Sequence, residues 1–220
     1  MQELMPFQSI SEKIEDLKGN KQVEFLLKNP NQLPSLYFAD KYKETISSSD
    51  LQKYYKLIDT SNKNSIYVKR IKNYLSAIKR EPLKKGKTVE NFKLPNELGQ
   101  YVSIINSNNK PKVIALFSSA CAYSLASINL LEQLSKLNND KIEIVSIWSD
   151  KSKNIWLNTY KDEKGKITLT NLWDEYGFAK AYLDGIMWPT FYVINEKDEL
   201  TQILKGYDKK TARELKKLVK

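Results

Sequence analysis

Five apolar residues in a row, Val113-Ile114-Ala115-Leu116-Phe117, have no polar residue at alternate positions. A strand of this kind is buried on both faces, so it belongs inside a sheet that helices cover on two sides. It leads through Ser118-Ser119-Ala120 to Cys121, and then into a helical pattern over 122–137 that carries Leu125, Ile128, Leu131 and Leu134. Cys121, the single cysteine of the chain, therefore stands where a buried strand turns into a helix.

The rest of the second half alternates in the same way. Phe92-Lys93-Leu94 and Tyr101-Val102-Ser103-Ile104 read as short strands around a turn over 96–100. A strand follows over 142–148, then helical stretches over 151–160 and 172–183. Phe191-Tyr192-Val193-Ile194 and Thr201-Gln202-Ile203-Leu204 flank a turn over 195–199 and make a hairpin before a last helix. The order β-β-β-α-β-α-α-β-β-α calls for an α/β mixed sheet with helices on both faces.

The first 85 residues read as short amphipathic helices. Ser9 and Ser11 are candidate caps ahead of Ile10, Ile14 and Leu17. A stretch with Val23, Phe25, Leu26 and Leu27 stops at Asn29-Pro30, and Pro34 opens the next, with Leu36, Phe38, Ala39 and Tyr42. Asp50 is placed to cap a helix bearing Leu51, Tyr54, Tyr55, Leu57 and Ile58. Tyr67, Ile71, Tyr74, Leu75 and Ile78 form one helical stripe that Pro82 ends. These tyrosines read as packing rather than as a ligand site. Lys84-Lys85-Gly86-Lys87 reads as a linker, which divides the chain into a small all-helical domain over 1–86 and an α/β domain over 87–220.

Composition removes several classes of function. The formal net charge of +10 is spread over both halves, +6 over 1–90 and +4 over 91–220. Its clusters, at 84–87 and 209–220, read as solvated surface rather than as a phosphate-binding patch, so no nucleic-acid partner is expected. With no histidine and one cysteine, imidazole catalysis, a disulfide framework and most zinc sites are excluded, and neither a metal nor a cofactor is expected. No apolar run approaches the roughly 20 residues of a membrane helix, and Met1-Gln2-Glu3-Leu4-Met5-Pro6 has no signal-peptide pattern. Contact with a membrane is thus expected only through a signal or anchor outside these 220 residues.

Two segments carry the candidate chemistry. At the start of a helix, unpaired backbone N–H groups and the positive dipole end favour a thiolate, which is the reactive form of Cys121. Three residues on, at the spacing of a Cys-x-x-Cys pair, stands Ser124, so no internal disulfide can form. Its hydroxyl is placed either to donate to the thiolate or to bond the backbone carbonyl four residues earlier. The second segment is Gly185-Ile186-Met187-Trp188-Pro189-Thr190, just ahead of a strand. A tryptophan before proline is compatible with a cis bond, which next to a thiol leaves the Trp188 backbone free to pair with an extended segment.

A strand leading to Cys-x-x-(Cys) and a helix, followed by x-Pro-Thr before a closing hairpin, resembles the thioredoxin fold. Asn91-Phe92-Lys93-Leu94-Pro95 ahead of Leu98-Gly99-Gln100 resembles the start of its TlpA/ResA-like branch. The helical segment from Phe25 to Ile78 is similar to the region preceding the thioredoxin domain in envelope thiol:disulfide oxidoreductases of Bacteroides-type bacteria. The resemblance implies that Cys121 is the attacking cysteine and that Pro189 is a cis-proline opposite it. It makes Trp188, with Ala120 and Tyr123 beside the thiol, the substrate-binding surface. It also implies protein or peptide thiols and disulfides as partners, and a cell-envelope or periplasmic location, the alternative being cytoplasmic. In such relatives a β-rich domain and an export or lipoprotein signal often come first.

The departures from that pattern are specific. Ala120 replaces the tryptophan before the cysteine and Ser124 the resolving cysteine, while Ala115 and Ser127 stand where relatives carry a buried acid. An acid that manages the proton of a resolving thiol would be an uncompensated desolvation cost without that thiol, so these losses agree with one another. A peroxidase pattern fits less well: Ser118 matches it, but Ile114 holds its proline position and Arg213, in the last helix, is the domain's only arginine.

Two functions follow. In the first, Cys121 exchanges with a substrate disulfide and an external thiol resolves the mixed disulfide, with Ser124 beside the thiol. In the second, the fold is a redox-inactive module that binds a peptide by strand pairing. Either way, reduction of insulin by dithiothreitol should proceed near its uncatalysed rate with this protein present. A rate like that of a dithiol thioredoxin would contradict the one-thiol reading.

Overall fold

The computed structural model describes residues 7–17, 19–106, 109–138, 141–162 and 169–219. Residues 1–6, read above for a signal-peptide pattern, and the last residue of the basic tail lie outside them. The chain divides into two units, Met1–Arg80 and Glu81–Lys220. The segment read as a linker belongs to the second unit because its backbone pairs with a hairpin there. Gly86 N–H donates to Leu200 O at 2.7 Å, Leu200 N–H to Lys87 O at 2.9 Å and Val89 N–H to Asp198 O at 2.8 Å.

The first unit holds helices α1 (Phe7–Asp16), α2 (Asn20–Lys28), α3 (Leu33–Tyr42), α4 (Ser48–Leu57) and α5 (Ile66–Ala77), with a single 3-10 turn, Thr60–Asn62. Their inner faces meet in one cluster that includes Ile14, Leu26, Leu36, Phe38, Leu51 and Ile71. Two caps differ from the sequence reading. Ser9 and Ser11 lie inside α1 rather than ahead of it. The cap of α4 is Ser47, whose Oγ accepts the Asp50 N–H at 3.1 Å and donates to the Asp50 carboxylate at 2.7 Å. Serine at the cap with an acid three residues on is a reciprocal arrangement, and it moves the helix start three residues earlier than a capping aspartate would.

The second unit is built on a five-stranded sheet in the order β5-β4-β3-β6-β7. Its strands are β3 (Lys112–Phe117), β4 (Glu143–Trp148), β5 (Thr170–Trp173), β6 (Thr190–Ile194) and β7 (Leu200–Lys205), and β1 (Lys93–Pro95) with β2 (Tyr101–Ser103) forms a separate antiparallel pair. The β3, β4 and β5 strands run parallel, whereas β6 is antiparallel to β3 and β7 to β6. Helices α6 (Ala122–Asn138), α7 (Lys153–Asp162), α8 (Phe178–Tyr182) and α9 (Lys209–Lys217) flank the sheet. All six residues of β3 are buried, as its apolar run requires. Phe117 makes edge-on contacts with Trp148 and Phe191, with ring centroids 5.3 and 6.2 Å apart. Each such aromatic pair adds about 0.5–1.5 kcal/mol to the burial of its area.

The helical reading of 172–183 is corrected. Leu172 and Trp173 belong to β5, beside β4, and the helix occupies only 178–182. Between the two, Asp174 ends the strand and caps the helix. Its carboxyl group accepts the Ala179 N–H at 3.0 Å and the Lys180 N–H at 2.8 Å. Burial pushes this carboxyl up to about 6, the helix N–H groups only partly opposing the shift. A carboxyl whose folded value exceeds its unfolded value of about 4 holds its proton more tightly when folded, so stability falls as pH rises between those values. Unfolding free energies from urea titrations should therefore decline from pH 4 to pH 7, by about 2–3 kcal/mol if Asp174 acts alone. Asp174→Asn should flatten the decline, and a variant with the same slope as the parent would remove Asp174 as its source.

Candidate functional site

The end of β3 and the start of α6 hold the thiol between them. The carbonyl oxygen of Cys121 accepts the N–H groups of Ser124 at 2.9 Å and Leu125 at 3.3 Å, so Cys121 occupies the position just ahead of the first helical turn. Its own N–H donates to Ser118 O at 3.1 Å. The S–H donates to the Trp188 carbonyl oxygen at 3.3 Å, and Cys121 is half-buried. That bond joins the two segments the sequence singled out, which lie 67 residues apart.

The second segment is held as firmly as the first. Gly185 is required where α8 gives way to this loop, because a Cβ there would run into the Leu116 side chain. The Gly185 N–H donates to Lys180 O at 2.9 Å, and Thr190 Oγ1 donates to Met187 O at 2.6 Å. The Trp188–Pro189 peptide is cis, and Pro189 O accepts the Gly206 N–H at 2.8 Å from the end of β7. Pro189 is buried and Trp188 half-buried, with Lys180 Nζ 6.0 Å from the centre of the indole ring.

Apolar side chains next to the two segments in sequence are exposed. Ala120 is exposed, Tyr123 is 64% exposed, and Ile186 and Met187 are 76% and 51% exposed. Tyr123 follows the cysteine by two residues, and Ile186 and Met187 precede Trp188 directly.

Ser124 does not turn toward the sulfur. It is fully buried, its Oγ accepts the Ser118 N–H at 3.4 Å, and neither bond expected from the sequence is formed, to the thiol or to the carbonyl four residues earlier. Ser127, also buried, donates to Ser124 O at 2.7 Å, and Ala115 is enclosed in the core. Residues outside the sequence reading complete the support. Ser149 donates twice to Phe117 O, from N at 2.9 Å and from Oγ at 3.0 Å, and the buried Asp150 reaches Ser119. Their one sequence signal is a polar Ser149-Asp150 pair directly after an apolar strand. Among the described residues, no three His, Cys, Asp or Glu side chains gather to hold a metal ion, and no helix is long and apolar enough to cross a membrane.

A parallel β3-β4-β5 half joined to an antiparallel β6-β7 hairpin, with a thiol at a helix start facing a proline loop, is the thioredoxin fold. No family profile and no curated protein matches the sequence. Solved structures do. A protein assigned as the thiol:disulfide interchange protein DsbE of Chlorobium tepidum aligns with a TM-score of 0.57 at 17% identity, over 62% of this chain and 96% of its own. The thioredoxin domain of a thiol-disulfide oxidoreductase from Bacteroides vulgatus aligns with a TM-score of 0.54 at 13% identity, over 63% and 99%. The exposed lipoprotein thioredoxin of Streptococcus pneumoniae gives 0.52 at 22% identity, over 59% and 98%. The chain thus has the fold of thioredoxin-like thiol:disulfide oxidoreductases.

Ser124→Cys restores a thiol one helical turn from Cys121, on the same face and within disulfide reach. The variant should oxidise to an internal disulfide, at a cost of about 1 kcal/mol in the reduced state for the weakened acceptor of the Ser118 N–H. Counting free thiols in a graded thiol redox buffer tests this. Two thiols that titrate and never couple would contradict the geometry.

Proposed function

We propose that this protein carries out monothiol exchange with protein or peptide disulfides through Cys121. The observation that carries the reading is the 3.3 Å bond between the thiol at the head of α6 and the Trp188 carbonyl, which sets a nucleophile against a backbone edge suited to an extended partner. The Cys121 thiolate attacks one sulfur of the partner disulfide, a new S–S bond forms, and the other sulfur leaves as a thiolate. An external thiol then attacks the partner's sulfur in the mixed disulfide and releases the Cys121 thiolate. A second external thiol attacks the resulting external-thiol–partner disulfide, freeing the partner's second thiol and leaving an external disulfide. Two electrons pass from external thiols to the partner, and the chain supplies no second sulfur.

The remaining residues receive the partner rather than react. Trp188 presents its carbonyl once the S–H has ionised, Pro189 holds that carbonyl toward the thiol, and Ala120, Tyr123, Ile186 and Met187 form the apolar rim. Ser124 acts as a buried brace for the 118–121 loop. A cell-envelope location is part of this proposal, supported by the sequence resemblance and by the exposed lipoprotein among the similar structures.

A second reading is favoured by the same rim: a module that binds an extended apolar peptide without chemistry. Incubation with a cystine-containing peptide, followed by intact mass measurement, separates the two. Exchange predicts an adduct of one half-peptide per chain, reversed by added thiol and absent in Cys121→Ser. A peptide that binds with no covalent adduct would leave the binding module as the better account.

A further inference from the structure

Every backbone N–H of the thiol-bearing loop is engaged. Ser118 N–H donates to Ser124 Oγ, Ala120 N–H to Ser118 Oγ at 3.3 Å, and Cys121 N–H to Ser118 O. These three acceptors lie within the loop and the first turn of α6. The fourth does not. Ser119 N–H donates to Asp150 Oδ1 at 3.0 Å, and Ser119 Oγ donates to Asp150 Oδ2 at 2.7 Å, across 31 residues of sequence. Asp150 is itself buried and anchored, since its carbonyl accepts the Trp173 indole N–H at 2.8 Å.

We propose that Asp150 is a positioning residue for Cys121: by gripping Ser119 with both carboxyl oxygens it fixes the loop so that the sulfur meets the Trp188 carbonyl edge. This rests on the thiol-exchange reading above. A buried carboxyl group bonded to Ser119, two residues ahead of the thiol, has two opposite effects. Its charge disfavours a nearby thiolate, whereas its two charge-assisted bonds hold the attacking sulfur in place. Both oxygens bond Ser119, and positioning is the larger effect in this proposal. A loop released from that grip leaves the sulfur in many positions, so fewer encounters with a disulfide, even a small one, find it presented beside the Trp188 carbonyl edge.

The two effects have opposite signs in one experiment. The rate of Cys121 with 4,4′-dithiodipyridine is followed by absorbance in the folded protein, and thermal melts run in parallel. Asp150→Asn should react about tenfold more slowly than the parent. Ser119→Ala, which keeps only the N–H bond, should be slowed less, and Ser119→Thr, which keeps the hydroxyl, should react like the parent. The Asp150→Asn/Ser119→Ala double variant should be no slower than Asp150→Asn, because both act through one contact. In urea all the variants should react alike, because the Asp150–Ser119 contact exists only in the folded chain.

An Asp150→Asn rate equal to or faster than the parent's would overturn the proposal, as would a double variant whose losses add. If Asp150→Asn fails to fold, Ser119→Ala against Ser119→Thr decides: equal rates overturn it, and slowing in the alanine variant alone supports it. Failure of the exchange reading is separate. It would show as a parent protein that forms no adduct with a cystine peptide, whatever these variants do with the small reagent.

Discussion

Antiparallel pairing of β3 with β6 brings the two halves of the site together. In its register Leu116 lies opposite Thr190, so Phe117, the last residue of β3, and Pro189, just ahead of β6, come side by side. From there one chain turns into the cysteine loop and the other comes from the tryptophan-proline loop. A shift of one residue would turn every β3 side chain to the opposite face, but both faces of this strand are buried in differently shaped layers. The register is therefore held by packing. Lys112 secures the far end: fully buried, its Nζ donates to Asp198 Oδ1 at 2.9 Å and to Lys110 O at 2.8 Å. A buried ammonium is tolerated only with such partners, which ties the start of β3 to the β6–β7 turn.

Within that frame the site is assembled from hydroxyls and backbone groups. Where a dithiol site holds its second sulfur, Ser124 is closed off from solvent and serves the loop, with Ser127 bonded to its carbonyl. Ala115 adds no polar group to the core beneath. The one buried carboxyl bonded to the thiol loop, Asp150, meets it from the side, through Ser119. Such an interior suits one exchangeable sulfur at the surface: no buried thiol has to ionise, and no buried acid has to manage its proton.

Much of this was legible in the sequence because the signals were local. The apolar run of β3, the turn over 195–199 and the junction at Cys121 each lie within a few residues, and the fold class follows from their order. The β5 strand escaped because it has four residues, too few to show alternation, while Leu172, Tyr176, Ala179 and Leu183 repeat at helical spacing. The α4 cap escaped because serine and aspartate are both good caps, and only the backbone geometry distinguishes the cap from the residue three on. The role of Ser124 turned on which way a buried hydroxyl points, and that of Asp150 on a contact across 31 residues. Local pattern marks only the polar Ser149-Asp150 pair after β4, and neither the direction of the hydroxyl nor the contact itself.

The central claim is that the fold presents Cys121 as a nucleophile. Cys121 stands at the head of α6, its carbonyl the first helical acceptor, and the N-terminal end of a helix favours a negative sulfur. The direct measurement is the rate of Cys121 carboxamidomethylation by iodoacetamide in the folded protein, divided by the rate in urea at the same pH. The account predicts a ratio of one or more at neutral pH, with Cys121 the site of modification. A ratio well below one, a thiol shielded by the fold that shields every other buried side chain, would contradict it.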